Sequence, residues 1–332
     1  MPTSASTNPE LTAPVDLSLN GRDLNPAARG WSRTPLHRTT LRGWGRNKAW
    51  DYWGLVSPDY IVGVTVSNLD YAAVLQGYLL DRRSGKDREF GALIPFGGGV
   101  TLPDTLPPMT VTASGKGFTY QFADQAGGTA LHVEFEDVVI DAVAAEAGDS
   151  LSVVVPWSRR RFQYTVKDLA RPLTGALQIG NDSYEFPAGE SFAVLDRGRG
   201  RWPYAMTWNW AAGSGSVAGE RRAIQLGGQW TVGTGATENA LFVGERMHYI
   251  PTEVTWDYTP GNWSAAWRMH GERVDAEFIP EHVRHAKTNA LVIASETFQA
   301  FGTWRGWAET DAGERIDLTG LTGWAEQAQN RW

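Results

Sequence analysis

The sequence predicts an all-β protein, and three observations carry that expectation. Short apolar or alternating runs recur along the chain at a spacing of about 8–12 residues, each closed by a turn signal. Neighbouring runs flank Pro58-Asp59, R-R-S-G (82–85), A-D-Q-A-G-G-T (123–129), T-P-G-N (259–262) and T-D-A-G-E (310–314), which is hairpin chemistry. Helical spacing is confined to the end, L-T-G-W-A-E-Q-A-Q-N-R-W (321–332), with Thr322 as N-cap and Leu321, Trp324 and Ala328 as an apolar stripe. That many strands curl or split into two packed bodies. The expectation is therefore two barrels or curved β-sandwiches with a short C-terminal helix.

In chain order, residues 1–10 read as a disordered polar tail, and 11–38, rich in Pro, Gly and Asn, as an ordered arm laid over the body. Strands are expected at 50–57, 60–69, 72–81, 118–122 and 130–135. In the last of these, Leu131, Val133 and Phe135 alternate with His132 and Glu134, the mark of a half-buried strand. Further strands follow at 151–155, 162–166, 175–179 and 184–186. After the central stretch, A-A-G-S-G-S-V-A-G (211–219) reads as a small-residue loop. Strands resume at 223–226, 240–243, 247–250, 253–258, 263–269, 298–308 and 315–318. These give an arm (1–30), a first half (31–165) and a second half (166–332), with the seam in 156–172.

The chain is organised around D-R-G-R-G-R-W-P-Y-A-M-T-W-N-W (196–210). From Trp202, large residues (Trp202, Tyr204, Met206, Trp208, Trp210) alternate with small or polar ones, so a strand here carries an aromatic wall on one face. Such a wall beside a carboxylate suits an apolar ligand or a sugar, and it equally suits a packed core. Asp196 is the first candidate acid, because desolvation beside aromatics raises a carboxyl pKa. Arg197, Arg199 and Arg201 would oppose that shift if they point at it. Glu238 is the second candidate, with Asn239 beside it at the start of an apolar strand. Asp70 and Tyr71 form a possible ligand clamp, and Trp202, Tyr204, Trp208, Asn209 and Trp210 complete the binding set.

Composition excludes several classes. Net charge is −7 and no basic run exceeds Arg159-Arg160-Arg161, which argues against nucleic-acid binding. Without cysteine there are no disulfides, thiolate metal sites or Cys nucleophile. No signal peptide and no apolar run long enough to span a membrane are present, so a cytoplasmic location is expected. Gly97-Gly98-Gly99 lacks the continuation of a phosphate loop, and Glu281-His282-Val283-Arg284-His285 lacks a third metal ligand and reads as a solvated loop. No cofactor or metal is expected; the partner is a small-molecule ligand.

The stretches L-N-P-A-A-R-G-W-S-R-T-P-L-H (24–37), W-D-Y-W-G (50–54), S-N-L-D-Y (67–71), L-D-R-G-R-G-R-W-P-Y…W-N-W (195–210), T-E-N-A-L (237–241) and G-W-A-E (323–326) resemble a bacterial family, domain of unknown function 2804. The layout is more distantly similar to the group holding carotenoid 1,2-hydratase, and this resemblance implies two tandem lipocalin-like halves. If the chain is an enzyme, the same kinship implies acid-assisted hydration, isomerisation or cyclisation of a polyene or terpenoid. Asp196 would then donate the proton, with ring faces stabilising a developing cation. Two other readings stand beside it. One is a carbohydrate enzyme using Trp platforms and a carboxylate pair drawn from Asp196, Glu238, Asp257 and Glu326. The other is a non-catalytic carrier or structural protein whose Trp residues are all core.

Overall fold

A computed structural model describes residues 8–290 and 293–332. The chain forms two compact units, Leu11–Trp202 and Pro203–Trp332, the second taking in residues 8–10. The first is built on a fourteen-stranded sheet and the second on a ten-stranded sheet, both antiparallel throughout their recorded pairings. The result is two tandem lipocalin-like bodies of curved sheet. Among the described residues the one helical element is a 3-10 turn at Pro26–Ala28. Much of the tail expected at 1–10 lies outside the described residues.

In the first unit, β1 (Asn47–Val56), β2 (Arg161–Ile179) and β3 (Phe192–Arg201) position the candidate site. The central strand β3 pairs with β1 on one side and β2 on the other, and all ten of its residues are buried. Strand β2 runs through the expected seam at 156–172. Its register shifts between Asp168 and Arg171, where Ala170 adopts φ 50°, so one strand serves two stretches of sheet through a bulge. The body therefore continues to Trp202. The arm lies against it as expected: Leu17, Leu24 and Ala28 pack on Phe162, Tyr164 and Val166.

In the second unit, β4 (Ala205–Val217) lies between β5 (Glu220–Gly228) and β6 (Thr322–Arg331). Two expectations are corrected here. The C-terminal segment is the strand β6, not a helix: it pairs with β4 on one side and with Ile293–Glu309 on the other. Ladder bonds on both edges outweigh the weak helical propensity of a dozen residues. Residues 211–217 are strand rather than loop. They are small because a Cβ at Gly213 would stand 2.5 Å from Trp304 Nε1, and one at Gly215 would stand 2.9 Å from Leu321 Cδ2. The aromatic alternation is likewise interrupted, since Trp202 ends the first unit and the strand begins at Ala205.

Candidate functional site

Alternation along β3 sorts its side chains between two faces. Ala193 and Leu195 lie opposite Leu55 and Trp53 of β1, and all four belong to the core of the first unit. Arg197, Arg199 and Arg201 continue that core-side face. Asp196, Gly198 and Gly200 take the other. The arginines thus do not surround Asp196; their carboxylate is Asp51, across from Arg197 and fully buried. Arg197 Nε and Nη2 reach Asp51 Oδ2 at 2.9 and 2.7 Å, and Arg199 Nη2 reaches Oδ1 at 2.9 Å. Burial opposes the charge on Arg197, but Asp51 outweighs it and raises that guanidinium's pKa. Arg199, under the same burial and beside Arg197, is held below its ordinary range. A narrow cleft beside these arginines is also lined by His37 and Tyr164. Burial depresses the His37 pKa and pushes the Tyr164 hydroxyl up to about 12.

The opposite face is a grid of three rows. The first holds Tyr52, Asp196 and Lys167, the second Trp50, Gly198 and Thr165, and the third Lys48, Gly200 and Gln163. Gly198 is required because a Cβ there would lie 2.2 Å from the Trp50 ring, which crosses the strand at this point. Gly200 leaves the corresponding space for Gln163 Oε1, which accepts from Trp202 Nε1 at 2.6 Å. Trp202 also receives the edges of Trp50 and Trp157 at centroid distances of 5.5 and 5.0 Å. Asp196 accepts from Thr165 Oγ1 at 3.2 Å and pairs with Lys167 Nζ at 2.9 Å. Lys167 and Asp196 are both buried. At the end of the third row, burial pulls Lys48 down to about 8, against the attraction of Asp70. Its Nζ donates to Leu69 O at 2.9 Å and stands 4.7 Å from the Tyr71 ring. Asp70, at φ 76°, accepts from Asn47 N at 2.9 Å.

Of the residues expected from sequence, Asp196, Trp202, Asp70 and Tyr71 therefore lie in the first unit, on or beside this grid. The others belong to the second unit. Tyr204 is exposed and precedes β4. Trp208 Nε1 donates to Glu326 Oε1 at 3.1 Å, and Trp210 Nε1 donates to Gln225 Oε1 at 2.8 Å while meeting Trp324 edge-on at 5.2 Å. Both indoles lie on the face away from that unit's core, which takes the alternate residue Ala211. Asn209 Nδ2 donates to Tyr258 Oη at 3.2 Å and to Glu326 O at 3.1 Å. Glu238 is buried, with its carboxylate over Gly227, where a Cβ would stand 2.9 Å from Oε2. Asn239 accepts from Gly227 N and donates to Thr252 O, each at 2.9 Å, which is the work of a structural clamp.

Sequence reasoning did not single out Lys48, Lys167 or Asp51. The signal for Asp51 was present, since it shares strand parity with Trp53 and Leu55, and an acid at a core-side position needs a cation. Residues 281–285 are not a loop but part of the strand Val274–Ala290, where His285 stacks on Phe298 at 4.2 Å and pairs with Glu296 at 2.9 Å. Among the described residues no cluster of His, Asp or Glu is arranged to hold a metal. No described helix is long and apolar enough to cross a membrane.

Three solved structures align with the chain. A protein described as an AttH from Nitrosomonas europaea aligns at TM-score 0.54 and 13% identity, over 86% of this chain and 92% of its own. CghA with Sch210972 aligns at 0.50 and 10%, over 99% and 97%. Kievitone hydratase from Nectria haematococca aligns at 0.48 and 8%, over 99% and 98%. At these identities the likeness to the first two is one of fold. No curated protein matches the chain. The sequence itself matches domain of unknown function DUF2804 over residues 8–332, and the chain belongs to that family.

Proposed function

We propose that the protein binds a small, largely apolar molecule of the polyene or terpenoid class on the grid face of its first unit and moves a proton on it. Hydration, isomerisation or cyclisation are the reactions this chemistry allows. The observation that carries the reading is the buried Lys167–Asp196 pair set beside Trp50 and Trp202. Burying two charges costs several kcal/mol of desolvation per ion, about what their attraction returns, so such a pair is weak as a stabilising device. It is well suited to proton transfer, with an ammonium donor and a carboxylate acceptor 2.9 Å apart. In this reading Lys167 and Asp196 face the reacting part of the ligand, and Lys48, lowered to about 8, exchanges protons near neutral pH. Trp50 and Tyr52, both half-buried, offer the surface for the apolar body, while Trp202 is the packed wall behind them. The negative face of an indole stabilises a cation developing next to it.

The carbohydrate reading has no comparable support, because open stacking platforms are lacking: of the sixteen Trp, Trp44 alone is exposed. The proposal is tested by quenching of intrinsic fluorescence with all-trans-retinol. Saturable quenching that Trp50→Ala abolishes and Asp196→Asn preserves is the expected result, with Asp196→Asn losing turnover once a substrate is in hand. Quenching that is absent, or unchanged in Trp50→Ala, would remove the proposal.

A further inference from the structure

One rim of the first unit sets exposed apolar side chains among arginines. Leu19 (68% exposed) sits in a turn closed by its N–H to Asp23 O, Trp44 (72%) tips the loop R-G-W-G-R, and Phe96 (87%) tips the turn after Pro95. The three turns adjoin. Arg42 N donates to Gly21 O at 2.8 Å, the Trp44 ring meets the edge of Tyr71 at 6.2 Å, and Phe96 N donates to Tyr71 O at 2.9 Å.

Around them lie Arg22, Arg42, Arg46, Arg159, Arg160, Arg161 and Arg201. Arg201 Nη1 donates to Arg42 O at 2.6 Å, and a Cβ on Gly43 would stand 3.3 Å from that Nη1 and 3.7 Å from Arg22 Nε. Arg161 is held below its usual range by burial and then by Arg46 and Arg160. Arg201 is lowered by burial and then by Arg161 and Arg22. Among the described residues Asp23 lies 3.1 Å from Arg160 and 3.8 Å from Arg159, and Asp70 acts on Arg201 at longer range. Seven cations thus crowd one rim of a chain whose net charge is −7. Arginines set this close together, with few carboxylates among them, favour an anionic partner over none.

We propose that this rim docks the protein on an anionic bilayer surface, with arginines on lipid phosphates and Leu19, Trp44 and Phe96 in the headgroup boundary. Arginine with aromatic and aliphatic tips is the pattern of an interfacial anchor. The apolar tips decide against a nucleic acid, since they project from three separate turns and Leu19 has no ring on which a base can stack. The rim adjoins the grid at Asp70 and Tyr71, but its exposed arginines and apolar tips take no part in the ligand proposal, so it stands or falls without it.

Flotation of the full chain with phosphatidylcholine vesicles, with and without phosphatidylserine, tests it. The expected result is binding that requires phosphatidylserine and is lost in about 1 M salt, where the Debye length shrinks to about 3 Å. Each charge reversal in Arg22→Glu and Arg159→Glu, both at exposed positions, is expected to lower partitioning by about fivefold or more. Trp44→Ser is expected to weaken it without altering thermal unfolding. No binding to phosphatidylserine vesicles, equal binding to neutral vesicles, or unchanged binding in all three variants would overturn the proposal. Displacement of the vesicles by an equimolar DNA oligonucleotide would assign the rim to another partner and overturn it as well.

Discussion

The two units solve the same problem with different chemistry. Each holds buried polar and aromatic side chains on its sheet, some on the core side and some on the far side. In the first unit these are ions: Lys167 on Asp196 and, through the sheet, two arginines on Asp51. In the second they are indoles and amides held by hydrogen bonds: Trp208 on Glu326, Trp210 on Gln225, and Asn239 between Gly227 and Thr252. An ion pair carries titratable side chains, whereas an amide clamp carries none. Under the proposed function, proton chemistry belongs to the first unit, and the second has a binding or supporting part.

Removing charge is expected to hurt the first unit far more than removing an amide hurts the second. Asp51→Leu leaves two buried guanidinium groups uncompensated, and a loss of about 3–5 kcal/mol or outright failure to fold is expected in urea unfolding. Lys167→Met strands Asp196 and is expected to cost about 3 kcal/mol, while the double variant Lys167→Met/Asp196→Leu recovers most of it. A double variant no more stable than the single one would show that the two side chains do not act as a pair. Asn239→Ala removes two hydrogen bonds without stranding a charge, and about 1–3 kcal/mol is expected. If Asn239→Ala proves as damaging as Asp51→Leu, the contrast between the units fails.

A smaller effect sharpens the comparison through pH. The folded-state value of Lys48, about 8, lies below the ordinary 10.5, so folding favours the neutral amine. That contribution to stability is complete above pH 10.5 and is lost as the pH falls through 8. Lys48→Met is therefore expected to flatten the decline in stability between those values. An unchanged slope in the variant, followed by urea midpoints, would assign the titration to another group.

Much of this was legible in the sequence. The strand runs, the hairpin turns and the aromatic alternation are local signals, and alternation of apolar residues registers which face is buried. Asp196 and Trp202 stood out because composition changes sharply around them. What was not legible depends on pairing between distant strands. The terminal segment 322–331 has helical spacing, yet two neighbouring strands claim its backbone. The arginines follow Asp196 directly in the chain, yet alternation sends them to the opposite face, where Arg197 and Arg199 meet an acid about 146 residues away. Lys167 becomes visible only once β2 is known to lie beside β3. The glycines of R-G-R-G-R clear space for Trp50 and Gln163, a role that shows only once the neighbouring strands are known.

Native mass spectrometry of the protein purified from its own host tests the central claim most directly. The wild-type chain should carry a small, largely apolar organic molecule, and a folded Trp50→Ala variant prepared in the same way should not. A wild-type protein with no retained molecule, or the same molecule in both preparations, would contradict the assignment of the grid face as the site.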